Sequence, residues 1–201
     1  MSKNQQFNVI IIKTKNDEEI IQLINKAKKE KKQIRAYGSG HSWSDIVCVD
    51  GYLIDTSKLN KIVSVDTQKK QVTVQAGIKV KDLNKKLAQV GLSLPNQATI
   101  ADQSLAGISA TATHGSGKTG SFSSFITKAK VIAADGSEIT TSKSENSNLF
   151  PAVRTSIGCL GIITEITIQC EPLFKVTREF KKTTWANILK EYEILLQNND
   201  F

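Results

Sequence analysis

The 201-residue sequence has only three Cys and two His. Cys48, Cys159 and Cys170 are odd in number and far apart. They form neither a CxxC pair nor a disulfide framework, which favours a reducing, cytoplasmic compartment. With no Cys cluster to complement the two His, no ligand set for a structural zinc is assembled along the chain. Long apolar runs are missing as well, so no transmembrane helix fits. Polar residues follow Met1-Ser2-Lys3-Asn4 without an apolar h-region, so no signal peptide is expected. Internal repeats and low-complexity segments are also absent from the sequence.

What remains is a globular composition, 39% apolar and 23% charged. Its length allows one domain or two small lobes sharing a core. Lys and Arg number 27 against 19 Asp and Glu, a net charge of 27 − 19 = +8. Residues 13–35 hold eight basic and four acidic side chains, concentrated in Lys26-Ala27-Lys28-Lys29-Glu30-Lys31-Lys32. This run fits the exposed face and C-terminal end of a helix, where Lys complements the dipole, and not a nucleic-acid surface. The overall positive field favours an anionic ligand such as a dinucleotide.

Val9–Ile12 reads as a short strand. Asn16 or Asp17 then caps a helix whose apolar face is Ile20, Ile21, Leu23, Ile24 and Ala27. Gln33–Tyr37 is a second strand, and Ile46–Val49 and Tyr52–Asp55 are strand-like. Lys61–Val65 and Gln71–Gln75 alternate around a polar turn and predict a hairpin. Val80–Val90 has helical periodicity and stops at Gly91. Lys128–Ala134 and Glu138–Thr141 flank Asp135-Gly136, a strong hairpin signal. Ser144–Phe150 is a short helix or loop, Ile162–Gln169 a strand, Phe174–Phe180 a further strand and Thr184–Gln197 a helix. The fold class is therefore α+β: a βαβ start followed by hairpins.

Two glycine loops carry the chemistry. Gly38-Ser39-Gly40 follows a strand, as in a Rossmann fingerprint, but Trp43 stands where the third Gly belongs and residues 46–55 are not helical in pattern. Two glycines still let successive backbone N–H groups converge on an anion, with Arg35, Ser39 and Ser42 adding donors. Ala112-Thr113-His114-Gly115-Ser116-Gly117-Lys118-Thr119 matches a relaxed Walker A pattern. A P-loop must open into a helix whose N-terminus faces the phosphates, and Gly120-Ser121-Phe122-Ser123-Ser124 is poor helix material. A P-loop-like NTPase is thus the less favoured alternative.

Three segments occur in order: Arg35-Ala36-Tyr37-Gly38-Ser39-Gly40-His41-Ser42, then Ala112–Gly117, then Ser156-Ile157-Gly158-Cys159-Leu160-Gly161-Ile162-Ile163. In this arrangement the chain resembles the FAD-binding domain of the vanillyl-alcohol-oxidase-type flavoproteins. The nearest branch is the sugar-lactone and alditol oxidases, such as gulonolactone, arabinonolactone and xylitol oxidases. The resemblance covers about residues 9–175. It implies a two-lobed FAD-binding domain, a small βαβ-containing lobe plus a larger lobe with antiparallel strands, over residues 1–175 with a lobe boundary near 75. Residues 176–201 then resemble the start of a substrate or cap domain that is otherwise absent.

The resemblance also implies site residues. Ala36, Tyr37, Gly38, Ser39, Gly40, His41 and Ser42 match the first FAD loop, and His41 matches the position that carries a covalent bond to the flavin. Thr99, Ser104 and Gly107 match cofactor-lining positions, Thr111, Ala112, Thr113 and His114 the second loop, and Ile162 a backbone contact. No residue is assigned as a catalytic base, and no metal is expected. The implied activity is oxidation of a sugar lactone or alditol by hydride transfer to FAD, with dioxygen as acceptor. The alternative is a non-catalytic flavin-binding module that needs a partner domain. Without the second domain, the apolar face of the last helix is expected to favour self-association.

Overall fold

The computed structural model describes residues 7–115 and 117–199. Ser116 of the second glycine loop, the first six residues and Asp200-Phe201 lie outside the described residues. The chain runs β1 (Val9–Lys13), α1 (Asp17–Lys29), β2 (Gln33–Tyr37), β3 (Gly51–Asp55), β4 (Ile62–Asp66), β5 (Gln71–Gln75), α2 (Val80–Gln89), β6 (Leu92–Ser93) and α3 (Leu105–Ala110). It continues through β7 (Ile126–Ile132), β8 (Glu138–Ser142), α4 (Phe150–Arg154), β9 (Ile162–Gln169), β10 (Glu171–Pro172) and α5 (Trp185–Asn198).

Local chemistry explains most of these boundaries. Asn16 caps α1 by accepting from the Glu19 N–H at 2.9 Å, acidic side chains fill the first turn and lysines the last. Helix α2 is capped by Val90 and followed by Gly91 at φ +70°. Gly136, at φ +88°, turns β7 into β8, and the two pair antiparallel as the Asp-Gly signal predicts.

β1, β3 and β2 form a parallel sheet in that order, so β3 is inserted between the two strands that α1 connects. A central parallel strand is covered on both faces, and all five residues of β3 are buried. Ile20, Leu23, Ile24 and Ala27 of α1 pack with Tyr52, Ile54 and Leu59. The second sheet is antiparallel, ordered β4-β5-β9-β7-β8. Its core joins Val72, Val74, Ile166 and Ile168 to Leu83 and Leu87 of α2 and to Leu105 and Ile108 of α3.

The two cores meet where strand alternation sends neighbours to opposite sides. Ile132 and Ile162 belong to the α1 core, whereas Val131 and Ile163 belong to the other. Lys130 bridges the same seam, 2.6 Å from Asp17 at the start of α1 and 2.7 Å from Glu138 on β8. Those two carboxylates hold its ammonium well above the usual lysine range. Nearby, the Gly77 N–H donates to the Leu59 carbonyl at 2.8 Å, and a Cβ at Gly77 would lie 1.9 Å from the Thr56 carbonyl oxygen.

Two sequence expectations change, and one helix is added. Ile46–Val49 is not a strand: Asp45–Val47 forms one 3-10 turn. Phe174–Phe180 is exposed and irregular. Between Gly91 and Lys128, where no element is expected from sequence, the chain forms α3, whose Leu105 and Ile108 supply core contacts despite its Ala and Gly content. Of the two alternatives at Ser144–Phe150 the loop is the one that forms up to Leu149, and α4 begins at Phe150. The NTPase alternative is excluded. Gly117–Thr119 is a bend leading to a 3-10 turn at Phe122–Phe125 and then into β7, and Asp135 sits in the β7–β8 turn.

Gly77→Ala should lower stability by about 2 kcal/mol or more, because the backbone of Thr56 cannot yield as a side chain would. Urea unfolding at one pH measures this, and an unchanged midpoint would contradict it. Asp55 gives a pH prediction. Burial pushes its carboxyl up, but the Ser57 N–H at 2.9 Å, Lys13 and Tyr37 outweigh that and hold it below its ordinary value. A carboxyl lowered on folding stabilises the native chain above its unfolded pKa, and that stabilisation disappears as pH falls through the folded value. Stability should therefore decline below about pH 4, and Asp55→Asn should make that decline shallower.

Candidate FAD-binding site

β2 delivers the chain into loop 38–44 beside a cleft of about 380 Å³. The loop is pinned at its start: Thr56 Oγ1 donates to the Tyr37 carbonyl at 3.1 Å, and Ser39 Oγ donates to the Asp102 carbonyl at 2.7 Å. Gly40 then takes φ +69°. Among the described residues, the backbone N–H groups of Gly38 through Ser44 have no hydrogen-bond partner. Unpaired donors on a glycine-containing turn are of the kind that backbone anion nests use.

The opposite wall is segment 98–113. Backbone bonds from Val80 and Lys81 to Gln103 and Ala101, and from Leu105 and Ala106 to Ile78 and Ala76, strap it to the sheet. Ser104 caps α3 and is 4% exposed, yet its hydroxyl has no partner. A Cβ on Gly38 would lie 1.7 Å from that hydroxyl oxygen and 2.8 Å from Ser104 Cβ, so the two walls touch at this point only because residue 38 has no side chain. Thr111 Oγ1 donates to the Gly107 carbonyl at 3.0 Å and lies 3.1 Å from Thr113 Oγ1.

Loop 155–161 forms the third wall through Ile157, Gly158 and Gly161. Arg35 is the charged residue among the lining side chains, and the described lining includes no carboxylate. Tyr37 lies alongside: burial and the nearby Asp55 carboxylate push its phenol above the usual range, so it stays neutral.

The structure brings Ala36, Tyr37, Gly38, Ser39, Gly40, His41, Ser42, Ser104, Gly107, Thr111 and Thr113 to one cleft. Thr99, Ala112, His114 and Ile162 are not among its lining residues. Thr99 is exposed beside Ile100, which does line it. Ala112 takes φ +51° and shapes the turn between Thr111 and Thr113. His114 is exposed, with Nδ1 2.9 Å from the Gly115 carbonyl oxygen. Ile162 points into the α1 core while its neighbours Gly161 and Ile163 face the cleft. The apolar contributors Ile46, Val47, Ile100 and Ala106 escaped sequence reasoning. Their signal is only that they follow or precede small-residue loops.

A positive cleft with free backbone donors, an orphaned buried hydroxyl and glycine-dependent walls suits a flat, dianionic dinucleotide. These features define a nucleotide-cofactor domain. A family model described as "FAD binding domain" matches residues 9–142. The chain belongs to this FAD binding domain family.

It is 38% identical over 175 residues to "L-gulonolactone oxidase" of Bos taurus, covering 87% of this chain and 39% of that one. It is 35% identical over 191 residues to "L-gulono-1,4-lactone dehydrogenase" of Mycobacterium tuberculosis, covering 94% and 44%. The chain thus spans about two fifths of the length of these curated relatives. Among solved structures, 6-hydroxy-D-nicotine oxidase from Arthrobacter nicotinovorans superposes with a TM-score of 0.77 at 23% identity, over 84% of this chain and 38% of that chain. The shared fold is the α+β FAD-binding domain of the vanillyl-alcohol-oxidase type.

Gly38→Val should abolish FAD binding, since its side chain meets Ser104 Cβ and not merely a rotatable hydroxyl. Titration of the apoprotein followed by flavin fluorescence quenching measures this. Affinity within about threefold of the parent, less than 1 kcal/mol, would show that the two walls do not grip the ligand.

Proposed function

We propose that this chain is the FAD-binding part of an oxidoreductase that oxidises a CH–OH carbon of a sugar lactone or alditol, with dioxygen as the acceptor. The observation that carries the proposal is the carboxylate-free cleft whose glycine loop presents unpaired N–H groups. The names of the lactone-oxidising relatives support the substrate class. Bound FAD supplies the two-electron acceptor for the substrate carbon. The chain's own part is to bind and orient that group. The N–H groups of loop 38–44 take the phosphates, Ser104 Oγ gives a buried polar partner, and Ile46, Val47 and Ile163 exclude water from the apolar side. Thr99, Ala112, His114 and Ile162 support the ligand through the backbone of segments that the lining residues extend.

Residues 1–175 act in this proposal as the cofactor unit, with its two lobes dividing near 75, and residues 176–201 begin a substrate domain. That assignment rests on the exposure of α5, none of whose described residues is buried although Trp185, Leu189 and Tyr192 are large and apolar. The rest of such a domain, or a second copy of the helix, would cover this face. Free Cys48 and exposed Cys159 accord with a reducing, cytoplasmic setting.

His41 lines the cleft at the exposed end of its loop and is the proposed point of covalent FAD attachment. Bond formation at an imidazole nitrogen needs the neutral ring, whose free lone pair is the nucleophile. The protein is loaded with FAD in air, precipitated in acid and digested for mass spectrometry. Flavin on the peptide containing His41, lost in His41→Ala while reversible FAD binding persists, is the expected outcome. Release of all flavin into the acid supernatant would refute the attachment and leave the cofactor domain standing. Peroxide formation from the full-length protein with L-gulono- and D-arabinono-1,4-lactone tests the substrate class, and no turnover with lactones or alditols would overturn it.

A further inference from the structure

Arg35 sits in the middle of β2, and its side chain crosses to a segment 122 residues away. One guanidinium nitrogen donates to the carbonyl of Ile157 at 2.6 Å. The position that a Cβ of Gly158 would occupy lies 3.6 Å from the same nitrogen, so the guanidinium rests against this glycine as well.

The acceptor is conformationally unusual. Ile157 has φ +53°, a region that a β-branched residue adopts only under constraint. Gly158 follows at +73° and Gly161 at +128°. Such strain persists only where the surroundings over-determine it. Among the described hydrogen bonds, two tie residues 155–161 to other segments, and both are at Ile157: its N–H donates to the Ala110 carbonyl at 3.1 Å, and its carbonyl accepts from Arg35. The remaining bonds of the loop are local, such as Cys159 N–H to the Ser156 carbonyl at 2.9 Å. One strained residue is therefore gripped from α3 on its N–H side and from β2 on its carbonyl side.

We propose that Arg35 is a positioning residue that locks Ile157 in its left-handed conformation, and so holds the third wall of the FAD cleft in place before the cofactor arrives. The clamp is a property of the chain alone, and its consequence for affinity rests on the FAD assignment. Without Arg35, Ile157 relaxes toward negative φ and carries Gly158 and Gly161 away from the cleft. A cofactor must then reorder the loop as it binds, which weakens its affinity. An arginine suits the task because its planar fork can direct one N–H at a carbonyl while the stem packs within the strand.

The clamp makes a prediction that simple loss of charge or packing does not. Glycine accepts φ +53° without steric cost. In an Ile157→Gly background the loop keeps its path with less help, so removing Arg35 should matter less. Four variants test this: Arg35→Met, Arg35→Lys, Ile157→Gly, and Arg35→Met combined with Ile157→Gly. Hydrogen exchange of the ligand-free protein, read on a peptide spanning residues 155–161, reports the loop directly. Arg35→Met should speed exchange there about tenfold or more, with peptides from β5 and β7 unchanged and Arg35→Lys intermediate. The same substitution in the Ile157→Gly background should change exchange by less than about threefold, the non-additivity expected of a coupled pair. The FAD Kd should rise about tenfold in Arg35→Met, equivalent to about 1.4 kcal/mol.

Unchanged exchange in Arg35→Met, or equal factors in both backgrounds, would overturn the clamp. Faster exchange with an unaltered FAD Kd would overturn its role in shaping the cleft. If the parent protein bound no FAD, the cofactor assignment would fall, and the exchange comparison would still decide whether the clamp exists.

Discussion

Gly38 and Ser104 come so close that a single methyl group on the glycine would overlap the serine hydroxyl. This contact brings the parallel sheet to the antiparallel one at the cleft, and the geometry on either side follows from it. On one side the residue that follows β2 must have no side chain. On the other, α3 must begin with a small polar residue and continue through Ala106 and Gly107, where a Cβ would again meet Ser104 at 2.8 Å. The apolar cores lie behind these walls, anchored by Ile54 and Leu59 in one case and by Leu83, Leu105 and Ile108 in the other. Large side chains build the frame, and their absence at the meeting point leaves room for a ligand.

Electrostatics follow the same division. Two carboxylates near the site are engaged elsewhere: Asp55 caps a turn, and Asp102 pairs with Lys79 and Lys81 while its backbone carbonyl takes the Ser39 hydroxyl. What faces the cleft is a guanidinium, several hydroxyls and backbone N–H groups. A surface of this kind attracts phosphates without selecting a base or a sugar.

The sequence was most legible where one residue forces one conformation. Asn16 ahead of three acids, Asp135-Gly136 between two alternating runs, and Gly91 after an amphipathic stretch each leave few options, and those elements form as expected. Legibility failed where tertiary burial overrides propensity. Ile46–Val49 is β-branched in part, but no strand partner lies beside it, so it coils into a single turn against β2. Leu105–Ala110 is a six-residue segment with Gly107 inside it and gives no strong helix signal, yet two buried apolar side chains and straps to Ala76 and Ile78 hold it. In the cleft, the glycine and hydroxyl positions could be read by motif. Which of Ile162 and Ile163 turns inward depends on strand parity, and that is fixed only once β9 pairs with β5 and β7.

The insertion of β3 between β1 and β2 bears on the order in which the molecule assembles. The strands that α1 links cannot hydrogen-bond to each other in the native register, because a strand made later in the chain occupies the space between them. Residues 38–50 are the connection that β3 must draw closed as it enters. Closing that connection is an entropic cost met before any ladder bond of β3 rewards it. The glycine loop that borders the cleft thus takes its shape in the same event that completes the small sheet. A nascent or refolding chain gains the capacity to hold a nucleotide no earlier than that strand docks.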